Sequence, residues 1–187
     1  MRILGPADYQ VQPWRNGMGA TTELASAPRP GGAPGFLWRL SIADVATDGA
    51  FSIFPDIDRV ITVIEGAGMT LDAGTNGRHV LEPFKPFAFP GEWPIDGFLK
   101  AGPVRDFNLM VDRHQGCGSV VYHDFADGAL TLAESGRVRF LHLLIGEARG
   151  PDLKMTAQQT LLLDAEDASI SLRGEGKALY GDIILGP

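Results

Sequence analysis

Phe36-Leu37-Trp38-Arg39-Leu40-Ser41-Ile42-Ala43 is the stretch that decides the fold class. Its residues alternate with period two, placing Phe36, Trp38, Leu40 and Ile42 on one face and Leu37, Arg39, Ser41 and Ala43 on the other. That is a strand. Further along, Arg59-Val60-Ile61-Thr62-Val63-Ile64-Glu65 carries the same signature and stops at Gly66-Ala67-Gly68, directly before Met69-Thr70-Leu71. Two strands around a tight glycine turn read as a hairpin. Short apolar runs recur at 79–81, 86–89, 95–100, 105–111, 118–122, 130–132, 138–145, 160–163, 168–172 and 177–185. Their spacing of about 8–12 residues is the rhythm of an all-β sandwich or barrel. No helical periodicity extends beyond about ten residues, so helix is expected only in short pieces such as 124–128.

The punctuation agrees. Gly 24 and Pro 13 make up nearly one residue in five of the 187, against a usual share of about 12%. With 44% hydrophobic and 21% charged residues the chain can bury a core. Sixteen basic against 23 acidic residues give a net charge of −7, with no basic cluster. Nucleic acid and anionic membrane surfaces, which need a basic footprint, are therefore not expected partners. Cys117 is the single cysteine; it excludes an intrachain disulfide and fits a reducing compartment. No apolar run has the length or flanks of a signal peptide or membrane span, and a cytoplasmic location is expected.

Weak internal similarity adds a second level. Residues 60–66 resemble 140–146, 87–89 correspond to 169–172, and 106–109 to 182–185, with offsets that drift by a few residues. One barrel and a duplicated pair both remain open.

The densest polar and aromatic cluster is Trp14-Arg15-Asn16-Gly17-Met18-Gly19-Ala20-Thr21-Thr22-Glu23. It lacks the spacing and the Lys-Ser/Thr of a phosphate loop, and it reads more simply as a hairpin turned at Asn16-Gly17. Charges on apolar strands say more. Arg39 shares a face with Ser41, Arg59 with Ile61 and Val63, and Asp106 with Asn108 and Met110. A charge inside a barrel is costly unless it is paired or serves a ligand. Either the arginines pair with Glu23, Glu65 or Asp106 and staple strands together, or they line a barrel mouth suited to bidentate capture of a small carboxylate.

Metal and nucleophilic chemistry find no support in the pattern. His79, His114, His123 and His142 are scattered, without His-x-His or His-Glu-x-x-His spacing. There is no Gly-x-Ser-x-Gly, and Cys117 sits between two glycines with no adjacent base.

Four blocks occur in order: Trp14-Arg15-Asn16-Gly17-x-Gly19-x-Thr21-x-Glu23; Trp38-Arg39-Leu40-Ser41-Ile42-Ala43; Gly49-Ala50-Phe51-Ser52-x-Phe54-Pro55-x-Ile57-Asp58-Arg59; and Asp106-Phe107-Asn108-Leu109-Met110. They resemble the successive motifs of the HutD/Ves family, with Met18 standing where the family usually has glycine. The resemblance implies a cupin-like (RmlC-like jelly-roll) β-barrel and a compact bicupin. Residues 1–113 would form an N-terminal barrel carrying the ligand motifs, and 114–187 a smaller second half. Cupins commonly hold a metal through histidines, but 55–66 contains none, so no metal and no cofactor are expected.

In function, the resemblance implies binding of a histidine-catabolism intermediate, N-formylglutamate or urocanate, and regulation of pathway flux. The expected ligand residues are Trp14, Arg15, Asn16, Arg39, Ser41, Arg59, Asp106 and Asn108, with none catalytic. Guanidinium groups and amides suit a small carboxylate that also carries a formamide. The alternative is a cupin-type isomerase or hydrolase using Asp106 as general base beside Arg59. A guanidinium neighbour usually depresses a carboxylate pKa, which weakens a base and counts against that reading. A third is a protein-interaction module, which would show an apolar patch rather than a polar pocket. Strand edges give a physical motive for a homodimer.

Overall fold

The computed structural model describes residues 1–14, 19–133 and 136–186, with backbone alone for 126–128. Within them the strands are β1 (Arg2–Leu4), β2 (Gln10–Pro13), β3 (Gly19–Pro28), β4 (Phe36–Val45), β5 (Gly49–Ala50), β6 (Ile57–Glu65), β7 (Met69–Asp72) and β8 (Arg78–Leu81). There follow β9 (Phe87–Pro90), β10 (Asp96–Leu99), β11 (Val104–Asp112), β12 (Gly116–Leu132), β13 (Val138–Arg149), β14 (Lys154–Thr156), β15 (Thr160–Leu163) and β16 (Ile170–Leu185). The only helical pieces among the described residues are two 3-10 turns, Pro30–Gly32 and Gly74–Asn76. None is long and apolar enough to cross a membrane. The chain is all-β, as its period-two runs require.

Two compact units emerge, Gln10–Cys117 and a second made of Met1–Tyr9 with Gly118–Pro187. The N-terminal residues thus leave the unit that sequence order assigned them. The cause is pairing: β1 lies antiparallel on β15, with Arg2 opposite Leu162 and Leu4 opposite Thr160. Tyr9 then fastens the turn, its hydroxyl within 2.8 Å of the Gln158 carbonyl and 2.9 Å of Thr160 Oγ1.

In the unit Gln10–Cys117, a six-stranded sheet ordered β2-β3-β4-β11-β6-β9 faces a four-stranded sheet ordered β5-β10-β7-β8. This is the jelly-roll sandwich of a cupin-like fold. Ala43, Val45, Ile61, Val63 and Val104 from one sheet meet Met69, Leu71 and Leu81 from the other in a continuous buried cluster. These are the inward positions that alternation predicts.

Residues 59–71 do not form the expected hairpin. β6 pairs with β11 and β9, while β7 pairs with β10 and β8, so the glycine turn carries the chain from one sheet to the other. Gly66 has φ 95°, and a Cβ there would stand 2.6 Å from the Pro103 carbonyl oxygen. Strand–glycine–strand has the same appearance in sequence whether the strands pair or part. The piece at 124–128 is likewise not helix; it lies within the long strand β12. The runs expected at 168–172 and 177–185 are joined in β16.

The second unit carries a sheet ordered β1-β15-β13-β16-β12, with β14 on β13. Its pairing scheme repeats that of the first: β4-β11-β6-β9 there corresponds to β12-β16-β13-β15 here. The sequence similarity of 60–66 to 140–146 falls on the central strands β6 and β13. Ile61 and Val63 then match Leu141 and Leu143, each pair in its own unit's core, and Gly146 repeats the positive φ of Gly66 at 93°. Arg59 matches Arg139, whose terminal nitrogens donate to the backbone carbonyls of Ala133, Asp164 and Asp167.

Because φ is left-handed and a carbonyl occupies the Cβ position, Gly66→Ala should cost about 1–3 kcal/mol. A lowered urea midpoint with an unchanged slope would show it; an unaltered midpoint would contradict the assigned corner.

Candidate functional site

The inward face of the six-stranded sheet carries its polar residues in three rows running across the strands. Nearest the Gly66 corner lie Thr21, Ala43, Asp106 and Val63. The middle row holds Glu23, Ser41, Asn108, Ile61 and Phe87; the third holds Ser26, Arg39, Met110, Arg59 and Phe89. Antiparallel register therefore converts four separate sequence blocks into one surface.

Arg59 is the centre of this surface. Only 6% exposed, its guanidinium lies 5.0 Å from the Phe89 ring centroid, 5.5 Å from Phe54 and 5.6 Å from Phe51. Arg39 reaches Phe54 from 5.5 Å and Phe36 from 4.8 Å, so the two cations share one ring. Arg39 Nη2 also approaches the Met110 sulfur at 3.2 Å. Cation–π contacts of this kind hold a desolvated guanidinium without neutralising it.

What neutralises Arg59 is indirect. Its Nη2 donates to Asn108 Oδ1 at 2.8 Å, and Asn108 Nδ2 donates to Asp106 Oδ1 at 2.6 Å. Asp106 Oδ2 is buried with no hydrogen-bond partner among the described residues. Elsewhere the arginines are paired directly: Arg105 with Asp44 and Glu65, Arg113 with Asp58 and Glu92, Arg29 with Asp112. No carboxylate among the described residues forms an ion pair with Arg39 or Arg59. Glu65, a partner that the sequence offered them, is taken by Arg105.

Burial dominates the electrostatics. It lowers the Arg59 pKa to about 10, with Asp106 opposing and the like charge of Arg39 adding to the drop. Burial likewise lowers Arg39, against the pull of Glu23. Desolvation pushes Asp106 up to about 6 despite its bond from Asn108 and the charge of Arg59, and Asp44 adds to the rise. The depressed carboxylate expected beside a guanidinium is thus reversed, because the amide keeps the two charges apart while burial acts on the carboxylate in full.

Of the expected ligand residues, Arg39, Ser41, Arg59, Asp106 and Asn108 come together. Trp14 stands at the other end of the face, where its Nε1 donates to Thr21 Oγ1 at 2.9 Å and its ring packs on the core. Arg15 and Asn16 lie outside the described residues. Phe51, Phe54 and Phe89 were missed as site residues, although Phe51 and Phe54 belong to the block that ends at Arg59. A groove of about 580 Å³ opens beyond Asp106, lined by Asp44, Val45, Glu65, Pro103 and Arg105 among others. Its guanidinium, that of Arg105, is already held by two carboxylates.

A metal does not fit here. Around Arg59 the polar groups are a second guanidinium, an amide, the Asp106 carboxyl and the Ser41 hydroxyl, with Glu23 towards Arg39, and His79 stands apart on β8, stacked on Phe87 and Trp93. Guanidinium groups repel a cation and offer no lone pair.

The HutD family model matches residues 6–180. The chain belongs to the HutD family. A HutD-family structure from Pseudomonas fluorescens SBW25, HutD in a formate condition, superposes with a TM-score of 0.87 at 30% identity, covering 100% of this chain and 99% of that one. Protein Ves of Cronobacter sakazakii is 35% identical over 92% of this chain and 93% of its own length. An uncharacterized 21.2 kDa protein in the hutC 3' region of Pseudomonas putida is 43% identical over 59% of this chain and 57% of its own length. The HutD family is thereby associated with the histidine-utilisation region.

Asp106 makes stability depend on pH in a definite direction. With its pKa raised from 3.8 to about 6 in the folded chain, the native state holds the proton more tightly than the unfolded state. This contribution is largest below pH 4 and is lost as pH rises through 6, on the order of 3 kcal/mol in all. Urea titrations at pH 4.5 and 7 should show Asp106→Asn losing that slope; an identical pH dependence in both proteins would refute it.

Proposed function

We propose that this HutD-family protein binds a small carboxylate, a histidine-catabolism intermediate such as N-formylglutamate or urocanate, without metal, and that occupancy regulates flux through the pathway. The observation that carries this reading is Arg59: a buried cation whose charge is met, among the described residues, through a neutral amide, beside Arg39, a second cation with no ion pair among them. Leaving a buried guanidinium without a direct counter-ion costs several kcal/mol. A carboxylate supplies that counter-ion in bidentate form. Phe51, Phe54 and Phe89 cover the guanidinium and surround the anion with low-dielectric walls, and Asn108 and Ser41 add amide and hydroxyl groups. The family's association with histidine utilisation supports a carboxylate of that pathway.

A second reading draws on the same Asp106. A carboxyl with a pKa of about 6 falls in the range of a general base, as a cupin-type isomerase or hydrolase would use. Turnover of a histidine-pathway intermediate that disappears in Asp106→Asn would establish it.

Calorimetric titration of the purified, chelator-treated protein with N-formylglutamate and with urocanate should give saturable heat for one of them. Arg59→Ala should abolish that heat while its circular dichroism stays that of the parent. Absence of heat with both at millimolar concentration would remove the ligand assignment, and a requirement for added metal would remove the metal-free one.

A further inference from the structure

The carboxylate reading leaves one buried group unexplained. Asp106 is 2% exposed, accepts a hydrogen bond from a neutral donor, and keeps its second oxygen without a partner among the described residues. Its support as an anion is Arg59, reached through Asn108, whose amide is oriented with nitrogen toward the acid and oxygen toward the cation. A ligand carboxylate seated on Arg59 spends that same positive charge. Two anions would then share one guanidinium inside a low-dielectric barrel, an arrangement in which one of two coupled acids takes a proton.

Among the described residues the other charged groups do not relieve this: Arg39, on β4 in the row of Arg59, turns to Phe36, Phe54 and the Met110 sulfur, and Arg59 is the cation that acts on Asp106. On β3 stands Glu23, which faces Arg39; on β4 Asp44 disfavours the Asp106 anion and is itself held by Arg105. The facing strands β7 and β8 present Met69, Leu71 and Leu81, with the half-buried His79 ring stacked against Phe87 and Trp93. On β9 the neighbours are Phe87 and Phe89.

We propose that anion binding at Arg59 is coupled to uptake of one proton by Asp106, so that the ligand's charge and the Asp106 charge exclude each other. The inference rests on the carboxylate-binding reading. The proton leaves a buffer acid and forms an O–H bond at Oδ2, the oxygen with no partner among the described residues; no other bond changes. The carboxylate seated on Arg59 thereby enters the interior with no net change of charge there. Affinity follows by linkage: above pH 6, where Asp106 is ionised when the site is empty, binding weakens by up to tenfold per pH unit.

The test is titration with N-formyl-L-glutamate at pH 7 in phosphate and in Tris, buffers of different ionisation heat. The wild type should take up close to one proton per ligand at pH 7 and almost none at pH 5. Asp106→Asn should bind with heat independent of buffer and affinity independent of pH. Glu23→Gln and His79→Gln should keep the uptake; its loss in either would move the proton off Asp106. Should Asp106→Asn not fold, infrared difference spectra of the wild type settle the matter, since a protonated carboxyl band must appear on binding. Saturable binding with no buffer dependence overturns the coupling and leaves the binding reading intact. If neither N-formyl-L-glutamate nor urocanate gives saturable heat, the binding reading falls and takes the coupling with it.

Discussion

A guanidinium enclosed between two sheets is the constraint around which the unit Gln10–Cys117 is organised. Desolvating Arg59 is unfavourable by several kcal/mol, and the jelly roll meets that cost with three phenyl rings, one amide and one carboxylate held a residue pair away. The five partners arrive from three parts of the chain: Phe89 from β9, Asn108 and Asp106 from β11, Phe51 and Phe54 from the segment before β6. The register of β11 against β6 and β4 is therefore part of the chemistry. A slip of one residue would turn Asn108 and Asp106 to the opposite face and leave the cation bare.

Alternation along β4, β6 and β11 was plain in the amino-acid sequence, and with it the faces that Arg39, Arg59, Asp106 and Asn108 share with their neighbours. Partner choice was not, because it depends on register and on which sheet receives the chain after each glycine. Glu65 lay near enough in sequence to compete for Arg59, yet it projects to the outer side and closes on Arg105. The turn at Gly66-Ala67-Gly68 could not be assigned to a hairpin or a corner by local chemistry, since positive φ serves both. The piece at 124–128 is too short for periodicity to speak, and pairing along β12 overrides its local preference.

The Asp106 pKa marks the limit of reading charges by proximity. Neighbouring a guanidinium argues for a depressed value, but the neutral amide between them weakens the attraction while burial acts in full. Sequence supplies the residue types of such a triad. Only geometry shows that Asn108 stands between the charges instead of beside them.

Arg139 gives the duplicated scheme its asymmetry. It occupies the position on β13 that Arg59 occupies on β6, it is also buried, and its terminal nitrogens are turned to three backbone carbonyls. Those carbonyls carry partial charge only, so they bolt the cation into the loops around it and require no anion. The two arginines at matching positions thus differ: Arg139 is a fastener, while Arg59 keeps no direct counter-ion among the described residues. On the carboxylate-binding proposal, the stoichiometry that follows is one ligand for each chain, not one for each half.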